Sequence, residues 1–471
     1  MKNIYITTAI PYVNGVPHIG HAMDYCLADV CARYHRMLGD NVRFQAGTDE
    51  HGNKIFLKAR ETGETTKEYV DKNSAKFQDF IHKLGVEYTD FIRTTDEDHE
   101  KRVQEIWRKL ENHIYKAKYE GWYCNGCERF VTEKECKENN GVCPDHQKPY
   151  EKLSEENYYF RISDFKDRIR EAIETDEMLI LPEFRKKEIL RLLEESPDVS
   201  VSRPVTQLTW GVPVPNDASQ VMYVWIDALS NYITVLGYPD VDISEWWPAM
   251  AQFVGKDILR FHAIIWPAML MGLGLSLPKT ISTHGFILAN GQKMSKSIGN
   301  VVDPIEVLDK YGLDAFRYYF LRHIDTFDDS DFTWEKFESA YNNELANDLG
   351  NLVQRLATLA QKNSIVISDV DLNLPDEYCE LMNKFEYSKA FDFVWECIQN
   401  INRRIDEEKP WTLAKNGEAE KLDACMNNLI ADLLLANKML SPFLPAATEK
   451  IAAVFTNPIA PPEEPLFPKT K

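Results

Sequence analysis

The order of predicted elements in the first fifty residues constrains the fold of this chain more than any other feature. The stretch "NIYITTAI" (3–10) is rich in β-branched and aromatic residues and predicts a buried strand. The turn "PYVNGVP" follows, helical apolar spacing runs from Ile19 to Leu38, and "NVRFQAGTDEHG" (41–52) predicts a second strand with a polar loop. This order begins a doubly wound α/β unit, which binds ligands beyond the carboxyl ends of its strands. We therefore expect "PHIGH" and "GTDEHG" at one edge of a parallel sheet.

The remaining chain predicts an interrupted α/β region followed by helices. The alternation breaks near residue 116 and resumes with "VMYVWIDALSNYITVL" (221–236), "AQFVGKDILRFHAIIWPAML" (251–270) and the strand "KTISTHGFIL" (279–288). From Trp334 onward the pattern is almost wholly helical, which predicts a C-terminal α-helical bundle. The length of 471 residues suggests about three domains.

Charge and hydropathy exclude some classes of protein. A formal net charge of −20 argues against a generally sticky nucleic-acid binder, although local basic faces and base stacking could still hold a nucleic acid. The most apolar window, Phe261–Leu277, contains a His, a Pro and two Gly, so it predicts a buried helix and loop rather than a membrane span. The N-terminus has no signal-like apolar segment, so we expect a cytoplasmic protein with no membrane partner.

Four of the nine cysteines cluster in "CNGCERFVTEKECKENNGVCPDH". Cys124 and Cys127 form a C-x-x-C pair, and Cys143 and His146 form a C-x-x-H pair, which together suit one tetrahedral zinc ion. Cys136 is a spare thiol that could replace His146 if the chain folds back differently. Four protein ligands leave no open position, so we expect this Zn²⁺ to stabilise the segment rather than to take part in chemistry.

Two distant motifs carry the features of a phosphate site. His18 and His21 lie three residues apart at a predicted helix start, where Pro17 suits the first turn, Gly20 leaves room for a ligand, and backbone N–H groups favour an anion. Two surface histidines or part of a metal site are the alternatives. In "GQKMSKSIGN" (291–300), Lys293 and Lys296 lie on a Gly/Ser-rich loop that could close over a triphosphate, the alternative being a solvated turn.

Taken together, "HIGH" and "KMSKS", in this order and separation, resemble the two signatures of class I aminoacyl-tRNA synthetases. The segments "AIPYVNG", "GTDEHG", "YVWIDAL", "GKDILRFH" and "NDLGNLVQR" are similar to those of the methionyl-tRNA synthetase family, single zinc-knuckle subgroup. The resemblance covers nearly the whole chain. It implies a Rossmann-like catalytic domain (1–115 and 219–278), a connective insertion with the zinc knuckle (116–218), a KMSKS-loop region (279–333) and an α-helical anticodon-binding domain (334–471).

The resemblance also assigns residues to the substrates. It implies that ATP, bound with Mg²⁺, contacts His18, Gly20, His21, Gly255, Asp257, Lys293, Ser295 and Lys296, with the two histidines and two lysines catalytic. It implies a methionine pocket of Ile10, Tyr12, Asp49, Trp225, Ala228, Tyr232, Ile258 and His262. Aromatic walls suit a polarizable thioether, Asp49 can pair with the ammonium, and Tyr232 could donate its hydroxyl to the sulfur. Ordinary core packing is the alternative for Trp225 and Tyr232. Lys256 could belong to the ATP site or face solvent, and Leu229 stands where some family members have proline.

The C-terminal helices carry the residues that match the family's anticodon readers. Asn351 and Arg355 are four apart and share a helix face, and Trp411 follows a proline at a predicted helix boundary. An amide, a guanidinium and an indole can bond base edges and stack on single-stranded bases, although a buried Trp beside a solvated polar face is the alternative.

The resemblance therefore implies a methionine–tRNA ligase that forms methionyl-adenylate and then charges the 3′-terminal adenosine of tRNA(Met). The chain has no room after the helices for a further dimerisation module, so we expect a monomer. The rival hypotheses are the same fold acting on another aliphatic amino acid and a non-catalytic, zinc-containing RNA-binding relative.

Overall fold

The computed structural model describes residues 1–124, 129–144, 147–294 and 302–469, without the side chains of 119, 120, 129, 130, 153–155 and 293. The described strands are β1 (Asn3–Thr8), β2 (Asn41–Thr48), β3 (Asp90–Arg93), β4 (Ile114–Cys124), β5 (Arg129–Val131), β6 (Glu151–Phe160), β7 (Leu179–Leu181), β8 (Val199–Ser200), β9 (Ser202–Pro204), β10 (Gln220–Met222), β11 (Ala251–Gly255), β12 (Thr280–His284), β13 (Ile287–Ala289), β14 (Gln292–Lys293) and β15 (Ser330–Phe332).

The helices before residue 334 are α1 (Ile19–Met37), α2 (Asn53–Thr62), α3 (Thr66–Lys83), α4 (Glu97–Lys109), α5 (Glu133–Glu138), α6 (Lys166–Glu174), α7 (Glu183–Glu195), α8 (Val224–Thr234), α9 (Trp266–Gly272), α10 (Pro304–Tyr311) and α11 (Leu313–Tyr318). The C-terminal part contains α12 (Trp334–Ala340), α13 (Asn351–Lys362), α14 (Asp376–Asn383), α15 (Tyr387–Glu408), α16 (Pro410–Lys415), α17 (Ala419–Leu440) and α18 (Pro445–Val454). Short 3₁₀ turns occupy Glu111–His113 and Ile162–Asp164, and wider π-helical turns occupy Phe261–Ile265, Tyr319–His323 and Tyr341–Gly350.

The central sheet has six strands in the order β3-β2-β1-β11-β12-β7, and every pair of neighbours is parallel. The chain leaves β1 toward β2 and β3 on one side, and β11 and β12 lie on the other side. The switch point therefore falls between β1 and β11, beside the start of α1. The predicted doubly wound α/β fold is confirmed, and the helix predicted from residue 19 is α1.

The segment 116–218 contributes strands to three sheets, one of which is the antiparallel pair of β9 with β10. Most of its strands form an antiparallel sheet in the order β5-β4-β6-β8. However, β7 pairs in parallel with β12, with Ile180 opposite Ile281, so this part of the segment completes the edge of the central sheet. Two helices separate β7 from the strands of the antiparallel sheet: α6 precedes β7, and α7 follows it.

The strand predicted at 279–288 is divided in the structure. Its first part is β12 in the central sheet, and its last residues form β13 in a small sheet of order β14-β13-β15. The small sheet includes Lys293, the first residue of the "KMSKS" motif (293–297). Residues 295–301 lie outside the described residues.

The C-terminal helices share one hydrophobic core with α1 and with part of the central sheet. Arg317 is fully buried in this core, bonds the carboxylate of Asp29 on α1 at 2.8 Å, and donates to the carbonyl oxygen of Phe443 at 2.7 Å. The predicted helical C-terminal part is confirmed. Across the described ranges, including the apolar window 261–277, no helix is both long and apolar enough to cross a membrane.

Candidate active site

His18 and His21 form a stacked pair at the N-terminus of α1. His18 is the residue that caps the helix, because its Nδ1 accepts the backbone N–H of Gly20 at 3.2 Å. The Nδ1 of His21 accepts the backbone N–H of His18 at 3.2 Å, and the two ring centroids lie 3.7 Å apart. Pro17 therefore precedes the cap and does not lie in the first helical turn, which corrects our expectation for this residue.

The capping bonds decide what the two rings can offer a ligand. Because both Nδ1 atoms accept hydrogen bonds, a neutral ring at either position carries its proton on Nε2. Removal from water and the neighbouring His18 lower the pKa of His21 well below its ordinary value, so His21 is a neutral donor. A Cβ at position 20 would lie 3.1 Å from Cε1 of His18. Glycine at this position therefore leaves room for the capping ring of His18 as well as for a ligand.

Gly255 and Asp257 lie at the carboxyl end of β11, beside this helix. A Cβ on Gly255 would lie 2.7 Å from Oδ1 of Asp257, so the carboxylate leans over the strand end. Lys256 is not a free solvent-facing cation, because its Nζ binds Asp329 at 2.5 Å and lies 4.3 Å from the ring centre of Phe286.

His284 and Asp24 are two site residues that the sequence analysis did not single out. His284 lies opposite Gly255 in the sheet, and its Nε2 contacts Oδ1 of Asp24 on α1 at 3.0 Å, while its Nδ1 contacts the carbonyl oxygen of Gly285 at 2.8 Å. Burial alone would lower the pKa of His284, but the Asp24 carboxylate, the carbonyl oxygen of Gly285 and the charge of Asp257 together outweigh burial and raise it. The sequence carried no local signal for this pair, because His284 lies within the predicted strand 279–288 and ends a strand, β12, only in the structure.

Tyr12 and Asp49 come together at the ends of β1 and β2. The backbone N–H of Asp49 donates to the carbonyl oxygen of Pro11 at 2.9 Å, and that of Val13 donates to the carbonyl oxygen of Asp49 at 3.1 Å. Asp49 is buried, and Tyr12 is half-buried. Ile10 lies at the same edge, where a Cβ on Gly47 would be 2.9 Å from its Cγ2.

The other predicted pocket residues surround a bonded pair, Tyr232 and His262. The Nδ1 of His262 faces the carbonyl oxygen of Ile258 at 3.0 Å and must donate there, so Nε2 accepts the hydroxyl of Tyr232 at 2.7 Å. Burial lowers the pKa of His262 to about 4, which keeps this ring neutral. The hydroxyl proton of Tyr232 is thus held by His262 in this structure, whereas the sequence analysis allowed it to be offered to a thioether sulfur.

Trp225 and Ala228 lie on α8 with Tyr232. The indole of Trp225 stacks on Phe261 with ring centroids 3.7 Å apart and meets His262 edge-on at 6.3 Å. Sequence reasoning missed Phe261, although it directly precedes His262. Burial raises the pKa of Tyr232, with further upward contributions from the charges of Asp24 and Asp49, so both halves of the predicted pocket lie within electrostatic reach of each other.

Lys293 and Lys296 are the two lysines of the "KMSKS" motif. Lys293 ends β14, but its side chain is not described, and Ser295 and Lys296 lie outside the described residues.

The cysteine-rich segment forms a small separate core. Cys124, Cys136 and Cys143 are buried there with Val131 and Tyr150. Within the described ranges, which omit Cys127 and His146, no three His, Cys, Asp or Glu side chains are grouped as metal ligands.

The three predicted anticodon residues lie near one another on the C-terminal helices. The Cζ atom of Arg355 is 5.8 Å from the ring centre of Trp411, and its Nη2 binds Asp406 at 2.8 Å. Trp411 is 41% exposed, so it is not the buried core residue of the alternative interpretation. Asn351 is exposed one helical turn from Arg355 and bonds Oδ1 of Asn347 at 3.3 Å.

Comparison with known proteins identifies the family of this chain. The family profile described as "tRNA synthetases class I (M)" matches residues 4–152 and 140–357. The methionine–tRNA ligase of Caldanaerobacter subterraneus subsp. tengcongensis is 43% identical over 96% of this chain and 73% of that protein. The chain belongs to the class I methionyl-tRNA synthetases. Its activity is therefore that of a methionine–tRNA ligase, which excludes the rival non-catalytic RNA-binding protein and the rival aliphatic substrates.

Two further relatives of this synthetase support the assignment. The methionine–tRNA ligase of Thermotoga maritima is 40% identical over 95% of this chain and 74% of that protein. The structure of Mycobacterium tuberculosis methionyl-tRNA synthetase in complex with methionyl-adenylate superimposes with a TM-score of 0.91 at 33% identity, covering 99% of this chain and 100% of that one.

Proposed function

We propose that the two steps of methionine ligation take place at the switch point between β1 and β11. A carboxylate oxygen of methionine attacks the α-phosphorus of ATP, the bond to pyrophosphate breaks, and methionyl-adenylate forms. The 2′-hydroxyl of the terminal adenosine of tRNA(Met) then attacks the adenylate carbonyl, and AMP leaves. Neither step requires a covalent enzyme nucleophile, so catalysis rests on positioning and charge stabilisation.

The observation that carries this proposal is the pair of imidazoles at the start of α1. The Nδ1 bonds orient the rings of His18 and His21 and leave the proton of a neutral ring on Nε2, and the helix N-terminus adds backbone N–H groups and partial positive charge. Two donors side by side suit the oxygens of a triphosphate. The "KMSKS" motif, with Lys293, Ser295 and Lys296, would stabilise the charge that develops on pyrophosphate. We take the ATP substrate to be its Mg²⁺ complex.

The remaining site residues divide between ribose and methionine. Asp257 beside Gly255 can accept hydrogen bonds from ribose hydroxyls, since its carboxylate leans over the strand end. Asp49 would bind the methionine ammonium. Because the Tyr232 hydroxyl donates to His262, we assign the thioether to packing against the rings of Tyr12, Trp225 and Tyr232, with Ile10, Ala228, Ile258 and His262 completing the pocket.

Amino-acid-dependent exchange of pyrophosphate into ATP tests the substrate directly. We expect methionine to support exchange at a higher kcat/KM than any other amino acid in a full panel. Leucine, isoleucine or valine outperforming methionine would contradict the proposed pocket.

We also propose that Cys124, Cys127, Cys143 and His146 hold one structural Zn²⁺. The described residues fit a thiolate site: Cys124 and Cys143 are buried in one core, and the backbone N–H of Cys143 donates to the carbonyl oxygen of Lys148 at 2.8 Å. Bound zinc would crosslink the two ends of this segment and supply folding energy.

Elemental analysis of purified protein tests the zinc site, with Cys136→Ser as a matched control. Cys136 is buried in the same core but is excluded from the proposed ligand set. We expect one zinc per chain, its loss in Cys124→Ser and Cys143→Ser, and its retention in Cys136→Ser. Loss in the control alone would instead assign the metal to Cys136.

We further propose that the C-terminal helices read the anticodon of tRNA(Met) and that the chain acts as a cytoplasmic monomer divided as predicted. Arg355 and Trp411, 5.8 Å apart, offer a guanidinium and an indole face to one base, and exposed Asn351 can bond a base edge. Sedimentation of the free protein and of its tRNA complex tests the oligomeric state.

A further inference from the structure

Three buried side chains outside the proposed substrate contacts form one bonded cluster. Asp227 receives Nδ1 of His51 on one carboxylate oxygen at 2.7 Å and Nε2 of His99 on the other at 2.8 Å. The exposed fractions are 1% for Asp227, 3% for His51 and 2% for His99. Burying a carboxylate and two imidazoles is costly unless each finds partners, so this cluster has a strongly preferred geometry.

The cluster joins three elements that are distant in sequence. His51 lies in the loop after β2, two residues beyond Asp49. Asp227 lies on α8, the helix that carries Trp225 and Tyr232. His99 lies on α4, and its Nδ1 contacts Oγ1 of Thr234 at the end of α8 at 2.7 Å.

The loop that carries Asp49 is fixed on its other side by neighbouring residues. The carboxylate of Glu50 is fully buried and accepts two bonds from Arg93, at 2.7 and 2.8 Å. The indole N–H of Trp210 donates to the carbonyl oxygen of Glu50 at 2.6 Å. Within this loop, therefore, Glu50 is bonded toward β3, and His51 is bonded toward α8.

The charged groups that face His51 stabilise its imidazolium form. Burial lowers the pKa of His51, but Asp227 from α8 and Glu100 from α4, the latter 3.5 Å from Nε2, outweigh burial and raise the pKa to about 10. Trp210 meets the ring edge-on with centroids 5.7 Å apart. The Nδ1 of His51 thus donates to Asp227 while its Nε2 faces Glu100, and the positive charge strengthens the bond to Asp227.

We propose that His51, Asp227 and His99 are positioning residues for methionine, setting the distance between the ammonium-binding carboxylate of Asp49 and the aromatic pocket wall on α8. A bound methionine must reach both groups at once, and these groups come from segments almost 180 residues apart in sequence. The hydrogen bonds of Asp227 hold the loop that carries Asp49 and the helix α8 at a fixed distance from each other. This inference rests on the proposed roles of Asp49 and α8 in methionine binding.

Paired amide substitutions test the hydrogen bonds of Asp227 because an amide can replace one imidazole nitrogen but not the other. His51→Asn places an N–H near the Nδ1 position and keeps the donor to Asp227, whereas His51→Gln places it near Nε2, away from Asp227. The relation is reversed at the second histidine, so His99→Gln keeps its donor to Asp227 and His99→Asn loses it.

The readout is steady-state pyrophosphate exchange with methionine and ATP varied separately. We expect His51→Gln and His99→Asn to raise KM for methionine by about tenfold to a hundredfold, because each breaks a buried bond to a charged group. We expect KM for ATP and kcat at saturating methionine to change by less than about threefold, since the cluster acts on substrate position. His51→Asn and His99→Gln should retain most of the wild-type KM for methionine.

Asp240→Asn is the matched control. Asp240 binds Nε of Arg102 at 2.9 Å, so this pair also joins α4 to the chain after α8, but it lies at the surface, with the Asp240 side chain 58% exposed. We expect wild-type kinetics for this variant. If His51→Gln does not fold, as judged by circular dichroism and thermal melting, the His99 pair decides the question.

Two results would overturn the inference. In one, KM for methionine is the same in the donor-keeping and donor-losing variants. In the other, kcat and both KM values worsen together, which is the signature of a purely structural cluster. If the wild-type protein shows no methionine-dependent exchange, the proposed function itself fails. If the wild-type protein is active and the variants give either result above, only the inference fails, so the two failures are distinguishable.

Discussion

Gly52→Ala should damage methionine recognition through a single collision with Tyr12. Gly52 has a φ of +112° and a ψ of 166°, and a Cβ built on it lies 2.0 Å from Oη of Tyr12 and 3.1 Å from its Cζ. An ordinary contact is about 3.5 Å, so the hydroxyl would have to move by about 1.5 Å. Since a misplacement of about 1 Å in a positioning group can cost about a hundredfold in rate, we expect kcat/KM for methionine to fall about 10- to 100-fold.

The backbone contributes separately to the cost. The φ and ψ of Gly52 lie in a region that residues with a Cβ rarely adopt, which should lower the free energy of unfolding by about 1–3 kcal/mol. Gly63→Ala provides a comparison, because Gly63 also has a positive φ, +73°, but a Cβ there meets nothing within 4 Å. That variant should lose about 1–2 kcal/mol of stability without any change in exchange kinetics.

A double-mutant cycle with Tyr12→Phe separates the collision from the backbone strain. Both proteins that carry Gly52→Ala share the same backbone cost, so the coupling between the two positions reports the collision with the hydroxyl. We expect the double variant to recover at least about tenfold in kcat/KM relative to the sum of the single effects, since the 3.1 Å contact to Cζ is then the closest one. Additive effects, or equal kinetics for Gly52→Ala and Gly63→Ala, would refute the reasoning.

Three further predictions concern the loop, the helical domain and pH. Lys296→Ala should lower kcat for pyrophosphate exchange far more than it weakens methionine binding; an equal loss in both would contradict a transition-state role. Trp411→Ala should impair aminoacylation of tRNA while exchange stays near wild type, because this exposed indole lies in the C-terminal helices; a parallel loss of exchange would indicate misfolding. The raised pKa of His51, about 10 against 6.5, means that its contribution to the free energy of unfolding is complete below pH 6.5 and is lost as the pH rises toward 10. The lowered pKa of Asp227, about 2 against 3.8, means that its contribution is complete above pH 3.8 and is lost as the pH falls toward 2. Denaturant unfolding across pH should therefore show an alkaline decline that is shallower in His51→Gln, and an unchanged slope would count against the charged pair.

Local patterns predicted that "PHIGH" and "GTDEHG" lie at one edge of a parallel sheet, because the carboxyl ends of the strands meet there whatever the details of packing. The roles of Asp49 and Gly255 come from the family resemblance. Their neighbours His284 and Asp24 were missed, because a histidine at a strand end and an aspartate within a helix carry no local sign that they will meet. Likewise, nothing local indicated that Leu179–Leu181 would complete the central sheet.

The sequence by itself determined the order of strands and helices, the helix start that carries two imidazoles, and the membership of a synthetase family, because these depend on residues close together along the chain. Only the tertiary structure decided which side chains from distant parts of the chain form hydrogen bonds with one another. It oriented the Tyr232 hydroxyl toward His262 and joined His51, Asp227 and His99 at hydrogen-bonding distance. Such contacts depend on how α4 and α8 pack against the sheet, and a difference of about one ångström in that packing decides whether a buried hydrogen bond forms.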